Sequence, residues 1–429
     1  MTQQHEQTSP APEAGAAPAT PASTAFGPAP TTPDGWVERA RQVATQLALD
    51  AVERDRANAT PHAEVALLKA AGLVTLLAPR EHGGAGQDWT TALRVVRAVS
   101  AGDGSIGQLL GYHYVWAWAA RLVGTPEQIA AVERAAAEGT WLFGGAVNPR
   151  DADLVVRVEG EELVFSGRKS FSTGGRVSDV TVLEGVIEGA GQHVFAIVPT
   201  DQPALRFAGD WDNLGQRLTE SGSVEVDGVR VPWEAAAGYV RDESAELGWR
   251  FVPRVYNTLN VPLIQLVFAN LYVGIADGAL ATAAGYTRDR TRPWPYTPDV
   301  KERGAEEFHV LETYGDLRSR LWAAEALAER AAVAIEAINA RADEVTAEER
   351  GEAAVLIAAA KQVAIDVGLD VGTRVFEVTG ARATANAVGL DLYWRNLRTH
   401  SLHDPVAHKR AEVGRFYLLG EIPEPTWYT

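Results

Sequence analysis

The chain carries nine histidines and no cysteine, and the histidines are unevenly spread. His400, His403 and His408 fall in one stretch, His400-Ser401-Leu402-His403-Asp404-Pro405-Val406-Ala407-His408. Imidazole is the side chain whose ordinary proton affinity lies near neutral pH, so such a cluster can donate, accept or relay a proton. With Asp404 it also resembles a metal-ligand set on paper. Pro405, however, is expected to begin a new helix, which would keep these side chains off one shared face, and no metal site is assigned. The same proline gives Asp404 a structural reading: Asp then Pro is a favourable N-cap and N1 pair for a helix running through Lys409 and Phe416. The bland reading of any one histidine is a ring bonded to a backbone carbonyl, and His400 and His408 taken singly are read that way.

A fourth histidine, His113, stands in Gly111-Tyr112-His113-Tyr114. Arg290, Arg292 and Arg374 offer guanidinium groups suited to bidentate phosphate contact, although an isolated arginine is more often a solvated charge. Phe171, Ser172 and Thr173 precede Gly174-Gly175 and, by themselves, read as strand residues before a turn. No Gly-x-Gly-x-x-Gly follows a strand, so nicotinamide binding is not signalled. Without cysteine there are no disulfides, thiolate metal sites or thiol nucleophiles.

The elements that must position these groups follow from periodicity. Residues 1–33 are rich in Ala, Pro, Thr and Gln and are expected to be a disordered tail. From 34 to 140 apolar residues recur at helical spacing, as in Trp36, Val37, Ala40, Val43, Ala44 and Leu47. Helices are expected over 61–72, 89–101, 105–122 and 126–138. Between 141 and 240 the period drops to two, with strands at 154–158, 163–165, 180–183 and 194–198. Asp227-Gly228, between 223–226 and 229–231, is a two-residue hairpin signal, and this block is read as an antiparallel β domain. From 241 to 429 three long helical segments return, 257–286, 306–340 and 347–379, which implies a C-terminal four-helix bundle.

Composition narrows the partners. A formal net charge of −17 repels nucleic-acid phosphates, and no Lys/Arg run offsets it. No apolar run is read as reaching the roughly 18 residues that cross a bilayer. With no basic-then-apolar leader visible and no cysteine, a cytoplasmic location is expected. Twelve tryptophans are read mainly as core filler, with some left to wall an aromatic pocket.

Helices, then a small β domain, then a bundle is an order that resembles the acyl-CoA dehydrogenase superfamily over residues 34–429. The motifs agree: Leu67–Leu73 followed by Pro79-Arg80-Glu81-His82-Gly83-Gly84, then Gly215-Gln216-Arg217-Leu218-Thr219-Glu220-Ser221-Gly222-Ser223 with Val229-Arg230-Val231-Pro232, then Tyr286-Thr287-Arg288-Asp289-Arg290. The resemblance implies a flavin between β domain and bundle. Asn148 would present a polar group to the isoalloxazine, Phe171 a wall, and Ser172 and Thr173 hydroxyls. Arg290, Arg292 and Arg374 would reach flavin phosphate, across a subunit boundary in a homotetramer, and His400 is counted among the cofactor-binding residues.

The dehydrogenases of that superfamily use a carboxylate base, often Glu before Gly-Thr, and here the corresponding stretch reads Arg398-Thr399-His400-Ser401-Leu402-His403-Asp404-Pro405. Their Gln-x-x-Gly-Gly adenine contact is reduced to Phe376-Glu377-Val378-Thr379-Gly380, which suits FMN better than FAD. The His-Asp-Pro and Gly-Tyr-His elements are similar to the dibenzothiophene monooxygenase-like, group D flavin monooxygenases. That likeness implies oxygen transfer from a C4a-flavin hydroperoxide to a small sulfur or nitrogen compound, with His113, His403, Asn148 and Thr173 as catalytic residues. It also implies reduced FMN supplied by a separate NAD(P)H-dependent flavin reductase. The alternative is an acyl-CoA dehydrogenase with bound FAD and Asp404 as its base.

Overall fold

In the computed structural model residues 26–148 and 153–426 are described; of the disordered tail expected over 1–33, residues 1–25 lie outside them, while 26–33 lead into the fold, with Arg39 donating to Gly27 O and Pro28 O and Pro33 opening the first helix. Helix α1 (Pro33–Ala48) is started by Thr32, whose hydroxyl accepts from Gly35 N–H. It buries Trp36, Val37, Ala40, Val43, Ala44 and Leu47, the stripe its spacing predicts. Short helices α2 (Ala51–Ala57) and α3 (His62–Ala70) lead to α4 (Trp89–Gly102) and α5 (Gly104–Val123), and α6 (Pro126–Gly139) closes the block behind a Thr125/Gln128 capping box. Asp103 breaks α4 from α5: its carboxylate accepts from the N–H groups of Ser105 and Ile106 and bonds Arg54. That cap fixes the start of α5, the helix bearing Tyr112, His113 and Trp116.

The central block holds β1 (Phe143–Ala146), β2 (Leu154–Glu159), β3 (Glu162–Lys169), β4 (Val180–Ile187), β5 (His193–Pro199), β6 (Leu205–Phe207) and β7 (Val224–Pro232) in one seven-stranded sheet, ordered β1-β4-β2-β3-β7-β6 with β5 on β4. A separate ribbon pairs β8 (Tyr239–Arg241) with β9 (Trp249–Phe251). The sheet is mixed rather than purely antiparallel: β4 runs parallel to both β1 and β2, because the β2–β3 hairpin is inserted between β1 and β4 as a crossover. The hairpin expected at Asp227-Gly228 is not formed. β7 runs straight through it, pairing with β3 on both sides, and Gly228 (φ +74°) takes up the extra residue of a β-bulge.

The bundle is α7 (Asn260–Arg290), α8 (Phe308–Asn339), α9 (Ala347–Thr379), α10 (Asp391–His400) and α11 (Val406–Leu419). α7 is its centre, buried on nearly all sides among α4, α5, α8 and α9. Contrary to the expectation of no such segment, residues 256–290 are long and apolar enough to cross a bilayer. Within the fold, 83% of that apolar window is buried, as a core helix requires. One apolar cluster unites both helical blocks and a second fills the sheet.

Candidate functional site

The two halves of the site meet where the loop before β7 docks on α10. A Cβ on Gly215 would lie 2.2 Å from the carbonyl oxygen of Arg395, so only glycine lets the chains approach. Gln216 N–H then donates to Asn396 Oδ1 at 2.7 Å, with both residues buried. From there a run of hydroxyls reaches the sheet: Thr219 Oγ1 donates to Gln216 O, Thr219 and Ser221 pair at 2.8 Å, and Ser221 pairs with Thr173 at 2.8 Å. The Gly-Gln-Arg-Leu-Thr-Glu-Ser motif is thus a latch that also orients the Thr173 hydroxyl. Asn396→Ala removes a buried acceptor and is expected to lose about 1–3 kcal/mol of stability. A urea midpoint equal to the parent's would show that the latch does not hold the domains.

Around Thr173 the sequence-predicted residues assemble in part. Thr173 O accepts from Gly145 N at 3.0 Å, which sets it beside β1. Asn148 follows β1, and its carbonyl accepts from Lys169 Nζ at 3.1 Å. Lys169 is itself held by buried Glu184 at 2.8 Å, so a charged pair inside the sheet fixes the Asn148 main chain. Phe171 is 52% exposed, with its ring edge-on to Trp211 at 6.3 Å. Ser172 is buried, its hydroxyl donating to Gly222 O, and it borders a small pocket together with Trp211 and Gly222. Trp116 packs so closely on β1 that Gly145 has no room for a side chain. An apolar cavity of about 290 Å³ adjoins Trp116, lined by Ala120, Val182, Phe195 and Ile197 among others.

Across α5 lies the histidine cluster. Tyr112 meets Trp116 edge-on and stacks on Phe268 of α7 at 5.6 Å. Phe268 in turn contacts His400 (4.6 Å) and His403 (4.9 Å). His400 is buried, with Tyr272 on Nδ1 at 2.8 Å and Tyr112 on Nε2 at 3.3 Å. Its ring stacks on that of His403 at 5.9 Å, on the buried side of the pair. His403 is open, its side chain 45% exposed, and its Nδ1 approaches Asp404 Oδ1 at 3.5 Å; His408, in the first turn of α11, is exposed as well.

Asp404 is no helix cap. The N-cap of α11 is Pro405, no side chain caps it, and both carboxylate oxygens are taken by Lys361 Nζ at 2.5 and 2.6 Å. Burial alone would raise its proton affinity. His403 and the Lys361 ammonium outweigh that and hold the carboxyl well below the ordinary range. Lys361 gives no motif, but it is a lone charge on a face of Ile357, Ala358, Ala360, Ala364 and Ile365, a signal that was there to be read.

His113 departs furthest from expectation. Phe143 N–H donates to its Nδ1 at 3.1 Å, so the ring proton sits on Nε2 and is donated to Val74 O at 2.7 Å. Both nitrogens are used, and the ring brackets α5, β1 and the turn after α3. Burial, the largest cause, pushes its pKa down from 6.5 to about 4, and burial likewise takes His400 well below its ordinary value. The sign follows: as pH falls below 6.5 the unfolded chain takes up these protons and the folded one does not. Stability is therefore full above pH 6.5 and declines towards pH 4, by about 3 kcal/mol for His113 alone. Unfolding midpoints measured across that range should show the slope, and His113→Gln should make it shallower while lowering the midpoint at neutral pH. An unchanged slope would mean that this ring is not held neutral.

The comparisons with known proteins fall on this architecture. Residues 36–140 match the family model "Acyl-CoA dehydrogenase, N-terminal domain" and residues 266–407 "Acyl-CoA dehydrogenase, C-terminal domain". A dibenzothiophene monooxygenase of Rhodococcus erythropolis is 38% identical over 90% of this chain and 94% of its own. The chain belongs to the dibenzothiophene monooxygenase family, on the acyl-CoA dehydrogenase fold. A probable FMNH2-dependent monooxygenase of Pseudomonas putida, SfnC, is 37% identical over 94% of this chain and 99% of its own. The FMN-bound structure of TdsC from Paenibacillus sp. A11-2 superposes with a TM-score of 0.85 at 33% identity, covering 92% of this chain and 100% of that one.

Within this family frame the arginines divide. Arg374 is held by Asp316 at 2.6 Å and flanked by Asp370 and Glu377, so its guanidinium is committed to carboxylates of its own chain. Arg290 and Arg292 stand exposed at the end of α7 and just beyond it. FMN fits the residues on the sheet side: an exposed aromatic face at Phe171, an oriented hydroxyl at Thr173 and a fixed main chain at Asn148 are what a flat ring with a polar edge requires.

Proposed function

We propose that this chain is the oxygenase component of a two-component flavin monooxygenase. It takes reduced FMN from a separate NAD(P)H-dependent reductase and passes one oxygen atom of O2 to a small sulfur- or nitrogen-containing compound, the other atom leaving as water. The observation that carries this reading is the state of Asp404. A dehydrogenase needs a carboxylate free to remove an α-proton, and the carboxylate at this place is clamped by Lys361 and shielded by His403. Bound flavin would supply the oxygen-activating chemistry. The chain's own part is to wall the ring with Phe171, to offer polar groups at Asn148 and Thr173, and to hold a proton at His403 next to the oxygen being transferred. The apolar cavity beside Trp116 supports a water-poor site for a small organic substrate. The relatives lend the same support: SfnC is named as FMNH2-dependent, and TdsC has been solved with FMN and indole together.

The assembly that suits this reading is a homotetramer in the cytoplasm, with Arg290 and Arg292 turned to a neighbouring subunit's flavin phosphate. The test supplies reduced FMN and 18O2 with a panel of sulfides, sulfinates, sulfur heterocycles and indole. One labelled oxygen per product molecule is expected, together with no flavin bleaching when acyl-CoA thioesters are added anaerobically. Bleaching by a thioester, with no labelled product from the panel, would establish the dehydrogenase instead.

A further inference from the structure

Lys361 is 1% exposed in the middle of α9, a helix that otherwise turns small apolar residues inward there. An ion pair buried this deeply is seldom kept for stability, since well-packed apolar residues of the same volume serve as well or better. Its surroundings point to another use. The ammonium grips both oxygens of Asp404 at 2.5 and 2.6 Å and lies 5.5 Å from the centre of the Phe268 ring. Asp404 Oδ1 faces His403 Nδ1 at 3.5 Å, and the His403 ring rests on the other contacts of the cluster, Phe268 and His400. From core to surface the order is ammonium, carboxylate, imidazole.

We propose that Lys361 is a positioning residue for His403: by clamping both oxygens of Asp404 it fixes the carboxylate against Nδ1, sets the tautomer, and turns Nε2 to the cleft. A carboxylate without the lysine would be free to rotate about its last bond and would draw a proton more strongly onto the imidazole. With the lysine it orients the ring while part of its charge is cancelled. The other titratable groups around the pair come from every packed element: Tyr112 on α5, Tyr272 on α7, His400 on α10, and Lys409 with Glu412 on α11. Lys409 and Glu412 bond each other at 2.8 Å, so their charges offset one another as seen from Lys361. The inference rests on the oxygenase reading only in making His403 the imidazole that serves the reaction.

The test reads His403 directly, in flavin-free protein. Diethylpyrocarbonate modifies neutral imidazole, and the rate on the peptide holding His403, followed by mass spectrometry against pH, gives its titration midpoint. Lys361→Met is expected to raise that midpoint, as loss of a nearby cation should. Lys361→Arg, which keeps the charge, is expected to restore it in large part. In turnover with reduced FMN, Lys361→Met should lose about 10- to 100-fold in kcat with little change in KM, the mark of a misplaced group rather than a lost binding contact. Should Lys361→Met fail to fold, the neutral pair Lys361→Met with Asp404→Leu refills the site; it is expected to fold, with the His403 midpoint lowered and turnover still poor. A folded Lys361→Met with the parent's His403 profile, or a neutral pair with the parent's profile and turnover, would overturn the proposal. Failure of the unaltered protein to oxygenate any substrate would sink the oxygenase reading and leave the Lys361–His403 coupling to be judged by the modification profile alone.

Discussion

His403→Ala should fold and hold FMN as the parent does, yet transfer oxygen about 10²- to 10⁴-fold more slowly, the usual span for a lost acid or base. The ring is nearly half exposed, resting on Phe268, His400 and Asp404, so its removal opens no enclosed core cavity. Asp404 stays paired with Lys361, so no charge is orphaned either. What disappears is the exposed imidazole beside Asp404: His400 has both nitrogens on tyrosines and His113 both on main chain. Oxygen uptake should continue while product per oxygen falls and hydrogen peroxide rises, because reduced flavin still reacts with oxygen once the proton is no longer managed. Product, peroxide and melting temperature measured together on the one variant separate this from simple damage to the fold. Parent-like rate and coupling would remove His403 from the chemistry.

The order of helical, β and helical blocks was legible because it rests on periodicity, which needs no partner. Helix starts at Trp89, Pro126 and Ala347 fall where the sequence put them; the edges of α3, α5 and α8 differ by one or two residues, and the start of α7 moves further, its first turn being a tight one over Tyr256–Leu259. What failed was decided by residues far along the chain. Asp227-Gly228 has the local chemistry of both a hairpin turn and a bulge, and the pairing of β7 with β3 chose the bulge. His113 was correctly placed on a helix, but its direction is set by Val74 and Phe143, 39 and 30 residues away. Arg374 reads as a free cation until α8 brings Asp316 against it. Within the site, the latch through Gln216 and Asn396 spans 180 residues, so the motif was visible while its function as a latch was not.

Asp404→Asn should be among the most destabilising conservative changes in the chain, although its local sequence predicts the opposite. If Asp404 were the N-cap of α11, asparagine would cap as well and the change would be nearly neutral. In the fold its charge belongs to Lys361, 43 residues upstream and equally buried, and removing that charge leaves an ammonium without a counter-ion. Breaking a buried pair from one side costs about 3–5 kcal/mol. Asn keeps one acceptor oxygen for Lys361 and belongs at the lower end; Asp404→Leu keeps none and belongs at the upper. Adding Lys361→Met to Asp404→Leu should recover most of the loss, a rescue that no capping role can produce. The pH dependence adds an independent sign. Because the folded carboxyl titrates well below its unfolded value of 3.8, its contribution is fully present above that value and is lost only as pH falls further. The deficit of Asp404→Asn should therefore be the same at pH 7 as at pH 5 and shrink only in stronger acid. Denaturant midpoints for the two single variants and the neutral pair decide the matter. A neutral Asp404→Asn would return Asp404 to the helix end, whereas a stable Asp404→Asn that loses thioester oxidation would make it the base of a dehydrogenase.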